Sequence, residues 1–215
     1  MSLNGYKTVL REARDEVVIH KSRFIGHAAP VSSTEEALGF LARIREEHRD
    51  ATHNCYAYII GRNAGIMRYS DDGEPSGTAG MPIIEVMKAR GVVDCAVVVT
   101  RYFGGIKLGA GGLIRAYSNV TTEAVHRAGV VQRIKQLQIA ITVSYRQHDA
   151  LLYYLKEHQL AVSNEDYGVN VTTNVFINEA TADDTIAQLQ NRFNHQLEIQ
   201  KMGSHFHEIP YNPAE

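Results

Sequence analysis

Arg101, Lys107 and Arg115 lie in or just beyond a twelve-residue loop, RYFGGIKLGAGG (residues 101–112), that also carries five glycines and the aromatic pair Tyr102 and Phe103. Glycine loses more backbone freedom on folding than any other residue, so a loop this rich in it points to positive φ angles or a close backbone approach. Beyond the loop, Leu113, Ala116, Tyr117, Val120 and Ala124 recur at helical spacing, and Gly129 supplies a stop. Unpaired backbone N–H groups and the positive end of a helix dipole therefore gather where the loop ends. Cationic side chains, amide donors and stackable rings in one loop suit the capture of an anion, phosphate above all. The expected phosphate- or nucleic-acid-binding set is Arg101, Tyr102, Phe103, Gly104, Gly105, Lys107, Gly109, Gly111, Gly112 and Arg115.

No named phosphate loop matches this spacing. Gly104 and Gly109 stand as in GxxxxG, but Ala110 and Gly111 follow where Lys and Ser or Thr belong; the dinucleotide pattern fails at Ile114. A tight structural turn with a solvated basic rim is the competing reading, and Tyr102 and Phe103 serve equally well as buried anchors. Three further residues join the candidate set. Lys21 and Arg23 form a second basic patch, and His53 opens a strand expected to lie beside the glycine loop.

Asp71, Asp72 and Glu74 fall in SDDGEPSGTAGMP (residues 70–82), a cluster of turn formers. No metal site is expected; Asp72 and Glu74 are the weak candidates for Mg²⁺, against the plainer reading that a sharp turn attracts Asp and Gly for conformational reasons. Ser76 is not set in a GxSxG elbow, and no base can be assigned to it. Among ten histidines, His48 with His53 and His205 with His207 are close in sequence, yet no third ligand follows from the spacing, so surface or edge positions are expected. Cys55 and Cys95 lie in apolar runs without CxxC spacing and read as buried free thiols.

These residues need elements to hold them. Val92–Thr100 is a nearly unbroken β-branched run, expected as a strand buried on both faces. Val17–Ile25 reads as strand interrupted by His20–Arg23. Ser32 with Glu35 and Ser33 with Glu36 fit capping boxes ahead of a helix carrying Ala37, Leu38, Leu41 and Ile44. Thr52–Ile60 and Gly65–Tyr69 read as a hairpin, and Ile83–Lys88 as a helix with Pro82 in its first turn and Gly91 at its end. From Leu137 to Tyr145 apolar and polar residues alternate; helices around Leu151–Leu155 and Ile186–Phe193 and strands at 160–167, 169–177 and 197–209 complete a βαββαβ order. The fold class is α/β in the α+β sense. An N-terminal domain over 1–132 precedes a C-terminal ferredoxin-like domain over 137–215, with the boundary near Val130–Gln136.

The chain has 215 residues and a net charge of -2 that hides an uneven split: residues 1–136 sum to +4 and residues 137–215 to -6. The surplus of basic groups lies with the glycine loop, so nucleic acid would meet the N-terminal half first. The acidic second domain suits a protein partner. No apolar run reaches eighteen residues and MSLNGYKTVLREARDE has no hydrophobic leader core, which argues against a membrane partner and for the cytoplasm.

DDGEPSGTAGMP (residues 71–82) followed by VVVTRYFGGIKLGAGGLIRAY (residues 97–117) resembles the motifs of the IMPACT (YigZ-like) family, as do Lys21-Ser22-Arg23-Phe24 and His53-Asn54-Cys55-Tyr56-Ala57-Tyr58. The whole chain is similar to a bacterial two-domain member. The resemblance implies an N-terminal domain folded like the second domain of a small-subunit ribosomal protein and a C-terminal domain similar to the last domain of elongation factor G. It further implies RNA or ribosome binding with a role in translational regulation, and no cofactor. The starvation-response role of eukaryotic members depends on an additional RWD domain and is not carried over. The resemblance implies no catalytic residue. Some bacterial members are named as proline peptidases, but the two-metal set that reaction needs cannot be assembled here. Two rivals stay open: an enzyme acting on a phosphorylated small molecule or nucleotide, and a protein-interaction module.

Overall fold

The computed structural model describes residues 5–211. One compact unit is built chiefly from Tyr6–Gln132 and the other chiefly from Arg133–Ile209.

The first unit runs β1 (Gly5–Val9), β2 (Ala13–Ile19), β3 (Ser22–Pro30), α1 (Thr34–Glu47), β4 (His53–Ile60), β5 (Ile66–Ser70), α2 (Gly80–Arg90), β6 (Cys95–Tyr102) and α3 (Gly109–Ala128). Its sheet has the order β2-β3-β6-β4-β5 with every neighbour antiparallel. The β-branched run becomes the central strand, β6, because both faces are covered. Cys95, Val97 and Val99 share a core with Ile83 and Met87 of α2 and with Leu113, Tyr117 and Val120 of α3. Ala96 and Val98 join Phe40, Leu41 and Ile44 of α1 on the other side. The same alternation sends Arg101 towards the α2 and α3 layer and Tyr102 towards α1.

Local chemistry sets the element ends. Ser33 Oγ accepts the amide of Glu36 at 3.1 Å while the Glu36 carboxylate accepts the amide of Ser32 at 2.7 Å, a reciprocal cap on α1. Asp71 accepts the amides of Gly77, Ala79 and Gly80 at 2.8–3.0 Å and so supplies the donors at the start of α2 with a carboxylate. Gly91 and Gly129 end α2 and α3 with φ of 66° and 72°. His20–Arg23, read as an interruption of one strand, is instead the turn and restart of the β2–β3 hairpin, with His20 and Lys21 at φ of 46° and 63°. Helix α3 begins at Gly109, ahead of the apolar stripe, since its glycine-bearing first turn is largely exposed and leaves no periodic signal.

In the second unit β7 (Val130–Val143), α4 (Tyr145–Glu157), β8 (Val162–Tyr167), β9 (Val171–Asn178), α5 (Ala182–Arg192) and β10 (Glu198–Pro210) follow the βαββαβ order. Strands β8, β9 and β7 lie in that order and β10 also pairs with β7, the ferredoxin-like arrangement, in a five-stranded sheet whose remaining strand is β1, paired with β7. Leu137, Ile139, Ile141 and Val143 pack on Leu151 and Leu155 of α4 and Leu189 of α5. One expectation needs correction: Tyr145 opens α4 rather than closing a strand. The units divide between Gln132 and Arg133, inside β7. Among the described residues no helix is long and apolar enough to cross a membrane.

Candidate nucleic-acid interface at the start of α3

Antiparallel pairing sets Phe24 on β3 and His53 on β4 beside Arg101 on β6. Arg101 is only 4% exposed. Its Nη1 donates to Glu74 Oε1 at 2.6 Å and its Nη2 to Ser22 Oγ at 3.2 Å, while the guanidinium lies 5.2 Å from the Phe24 ring centre. Glu74 Oε1 also accepts the Tyr117 hydroxyl of α3 at 2.9 Å. Tyr117 Oη in turn receives the Cys55 thiol at 3.3 Å. Burial pushes the Tyr117 hydroxyl far up and the Cys55 thiol up to about 12, so both stay protonated at neutral pH. This buried network ties β6, β3, α3 and the loop before α2 together. Its ion pair is neutral as a whole, so Arg101 is not the free phosphate ligand that its sequence neighbours suggested.

The remaining basic candidates divide. Lys107 is exposed, and among the described residues it has no ion pair or hydrogen bond; it lines a cleft of about 390 Å³. The cleft is formed by Thr52, His53, Glu74, Pro75, Arg101, Phe103, Lys107, Leu108, Gly109, Ala110 and Leu113. Arg115, equally unpaired, lines a separate depression of about 230 Å³ with Ile19, His20, Leu108 and Gly112. Leu108 is the wall between them. Arg23 is spent on Glu16, with Nε and Nη2 donating to the two carboxylate oxygens at 2.6 and 2.8 Å. That bond holds the Glu16 carboxyl below its usual range. Lys21 sits exposed at the hairpin turn.

The glycines also have internal reasons. A Cβ on Gly104 would stand 1.9 Å from the Lys21 carbonyl oxygen, so the close approach is to the protein's own turn. Gly105 and Gly109 take φ of 83° and 70°, whereas Gly111 and Gly112 sit in the first turn of α3. That turn has no side-chain cap at Leu108 and no acidic residue, leaving its amides open to an anion. The two aromatics part company as well. Tyr102 turns towards α1, where its hydroxyl lies 3.0 Å from His48 Nδ1, while Phe103 is 46% exposed at the cleft.

Asp72 accepts the Asn54 amide at 2.6 Å and Arg45 at 2.8 Å, and Glu74 Oε1 is engaged as described. The carboxylates considered for Mg²⁺ thus serve different internal donors, and among the described residues no group of three metal-binding side chains gathers. His53 Nδ1 lies 2.9 Å from the Asp72 carbonyl, which fixes the ring at the cleft. Sequence reasoning missed Ser22, Tyr117 and the buried pair His27 and His48, whose Nε2 atoms are 3.2 Å apart. Expecting histidines at the surface was wrong for these two. Burial lowers the His27 pKa to about 4 and lowers that of His48 as well. Cys55 and Cys95 are buried and free, as their apolar settings predicted.

Residues 20–125 match the Impact N-terminal domain, and residues 141–196 match a domain of unknown function, DUF1949. The chain is 45% identical over 177 residues to the IMPACT family member YvyE of Bacillus subtilis, covering 82% of both proteins. It belongs to the IMPACT family. The IMPACT family member YigZ of Escherichia coli is 34% identical over 80% of this chain and 85% of its own length. Mouse Protein IMPACT shares 37% identity over only 94 residues, 29% of its length. A crystal structure titled as a hypothetical protein aligns with a TM-score of 0.60 at 29% identity, covering 93% of this chain and 98% of that one. All of the cleft residues lie within the matched Impact N-terminal segment.

Proposed function

We propose that this IMPACT-family chain is a non-catalytic RNA-binding protein that engages RNA or the ribosome through the cleft at the start of α3 and acts in translational regulation. The observation that supports it most is the pairing of an unpaired cation, Lys107, with the uncapped, acid-free first turn of α3 at one cleft. Phosphate oxygens are the natural complement of that combination. Phe103, half exposed beside it, offers a face for an unpaired base, and stacking of this kind binds single strands with little sequence preference. Arg115 in the adjoining depression extends the basic track, and the basic surplus of residues 1–136 draws the polyanion to this half.

The measurement is fluorescence anisotropy with a labelled single-stranded RNA over a KCl series, together with cosedimentation with ribosomes. Lys107→Ala should weaken binding across sequences and flatten the log–log salt slope by about one unit. A Lys107→Ala, Arg115→Ala protein that binds RNA as the wild type does would end the proposal. A second reading has its own observation: the acidic second unit exposes Tyr153, Tyr167 and Val169, of which Val169 is 96% exposed, and such apolar side chains suit contact with a basic protein partner.

A further inference from the structure

Two acceptors face the cleft without donors. Glu74 is 8% exposed and both of its hydrogen bonds, from Arg101 and Tyr117, fall on Oε1. Among the described residues Oε2 takes no hydrogen bond; His53 Nε2 stands 3.9 Å from it, an ion-pair distance for a protonated ring but too far for a hydrogen bond. The neighbour of His53 Nδ1 is a backbone carbonyl, an acceptor alone, so Nδ1 carries the ring proton. In the tautomer whose single proton sits on Nδ1, Nε2 presents a lone pair to the cleft. A carboxylate oxygen and an imidazole lone pair cannot satisfy each other, and both line the cleft where a donor can reach them. The site calls for a guest with two adjacent donors.

We infer that the cleft receives a ribonucleotide whose ribose bears both hydroxyls free, the 2′- and 3′-hydroxyls donating to Glu74 Oε2 and His53 Nε2. This rests on the nucleic-acid reading above. A carboxylate accepting ribose hydroxyls is the device that dinucleotide-binding proteins use. The other parts of the nucleotide meet their own lining: Lys107 and the amides opening α3 for the phosphate, Phe103 and Leu108 for the base. A volume of about 390 Å³ suits a guest of this size. Arg101 neutralises Glu74, so the carboxylate accepts hydroxyls without repelling the nearby phosphate. The same chemistry is offered by the 3′ end of an RNA and by a free nucleoside 5′-monophosphate.

The test uses a 5′-labelled pentanucleotide RNA in four forms that differ only at the last ribose: the free diol, 2′-deoxy, 3′-deoxy and 3′-phosphate. Binding to the full chain should fall about five- to tenfold for each hydroxyl removed or blocked, and His53→Ala should bind all four alike. Equal affinity of the wild-type protein for the four RNAs overturns this inference while leaving RNA binding intact. Adenosine 5′-monophosphate and its 2′-deoxy form are run separately by calorimetry. Displacement of the RNA by the ribose form alone assigns the site to free nucleotide, whereas discrimination among RNA ends without such displacement assigns it to RNA. If none of the RNAs binds, the reading of function falls, and calorimetry decides the inference alone: adenosine monophosphate binding tighter than its deoxy form upholds it, and no difference overturns it.

Discussion

Removing either member of the buried Arg101–Glu74 pair should be far more damaging than removing both. The side chains are 5% and 3% exposed and meet at 2.6 Å. Glu74→Leu leaves a guanidinium in the core with Ser22 Oγ as its remaining partner, and it also strips the Tyr117 hydroxyl of its acceptor. A buried charge left without its counter-ion costs about 3–5 kcal/mol, whereas replacing the whole pair by apolar groups is often close to neutral. The expectation is therefore a loss of roughly 3–5 kcal/mol for Glu74→Leu and for Arg101→Leu, and a double variant destabilised by much less than their sum. Glu74→Gln keeps an oxygen for Tyr117 and should fall between wild type and Glu74→Leu. Urea unfolding followed by circular dichroism, with midpoint and slope compared across the four-protein cycle, gives the coupling energy. Additive single effects would refute the picture of a mutually compensated pair and would free Arg101 for direct contact with a ligand.

His27 gives the fold a pH dependence. Its pKa of about 4 in the folded protein lies below the usual value of 6.5, so the unfolded chain takes up the proton first; stability is complete above pH 6.5 and erodes as pH falls towards 4. Burial is the main cause, His48 and Arg14 act in the same direction, and Glu47 and Glu12 oppose it. The loss should be roughly 1–3 kcal/mol once solvent screening is allowed for, and His27→Gln should flatten it; an unchanged pH profile in that variant would refute the assignment. The glycines supply a contrast. Gly104→Ala drives a Cβ into the Lys21 carbonyl and should cost about 1–3 kcal/mol or more. Gly111→Ala, whose Cβ meets nothing nearer than the Arg115 guanidinium at 3.9 Å, should be neutral or stabilising by up to about 1 kcal/mol. Thermal melts that rank these two variants the other way would overturn the packing argument.

What the sequence determined by itself was the set of features decided within a few residues. Ser33 and Glu36 cap α1, Gly91 and Gly129 end α2 and α3, and the alternation from Leu137 to Val143 declares one buried face, because capping, left-handed turns and the pleat are all local geometry. The motifs of residues 71–82 and 97–117 also pointed to the right family. Only the tertiary structure decided which charges are free. Arg101 and Lys107 look alike in the loop, yet one meets Glu74, 27 positions away in the chain, while the other stays open to solvent. That difference is set by strand order and by the pleat, which turns residue 101 into the core between β3 and β4. The meeting of His27 with His48 and the approach of His53 to Glu74 depend likewise on elements that only folding brings together. Spacing along the chain carries no record of such encounters, since the distance between two side chains on different strands depends on register and not on sequence separation.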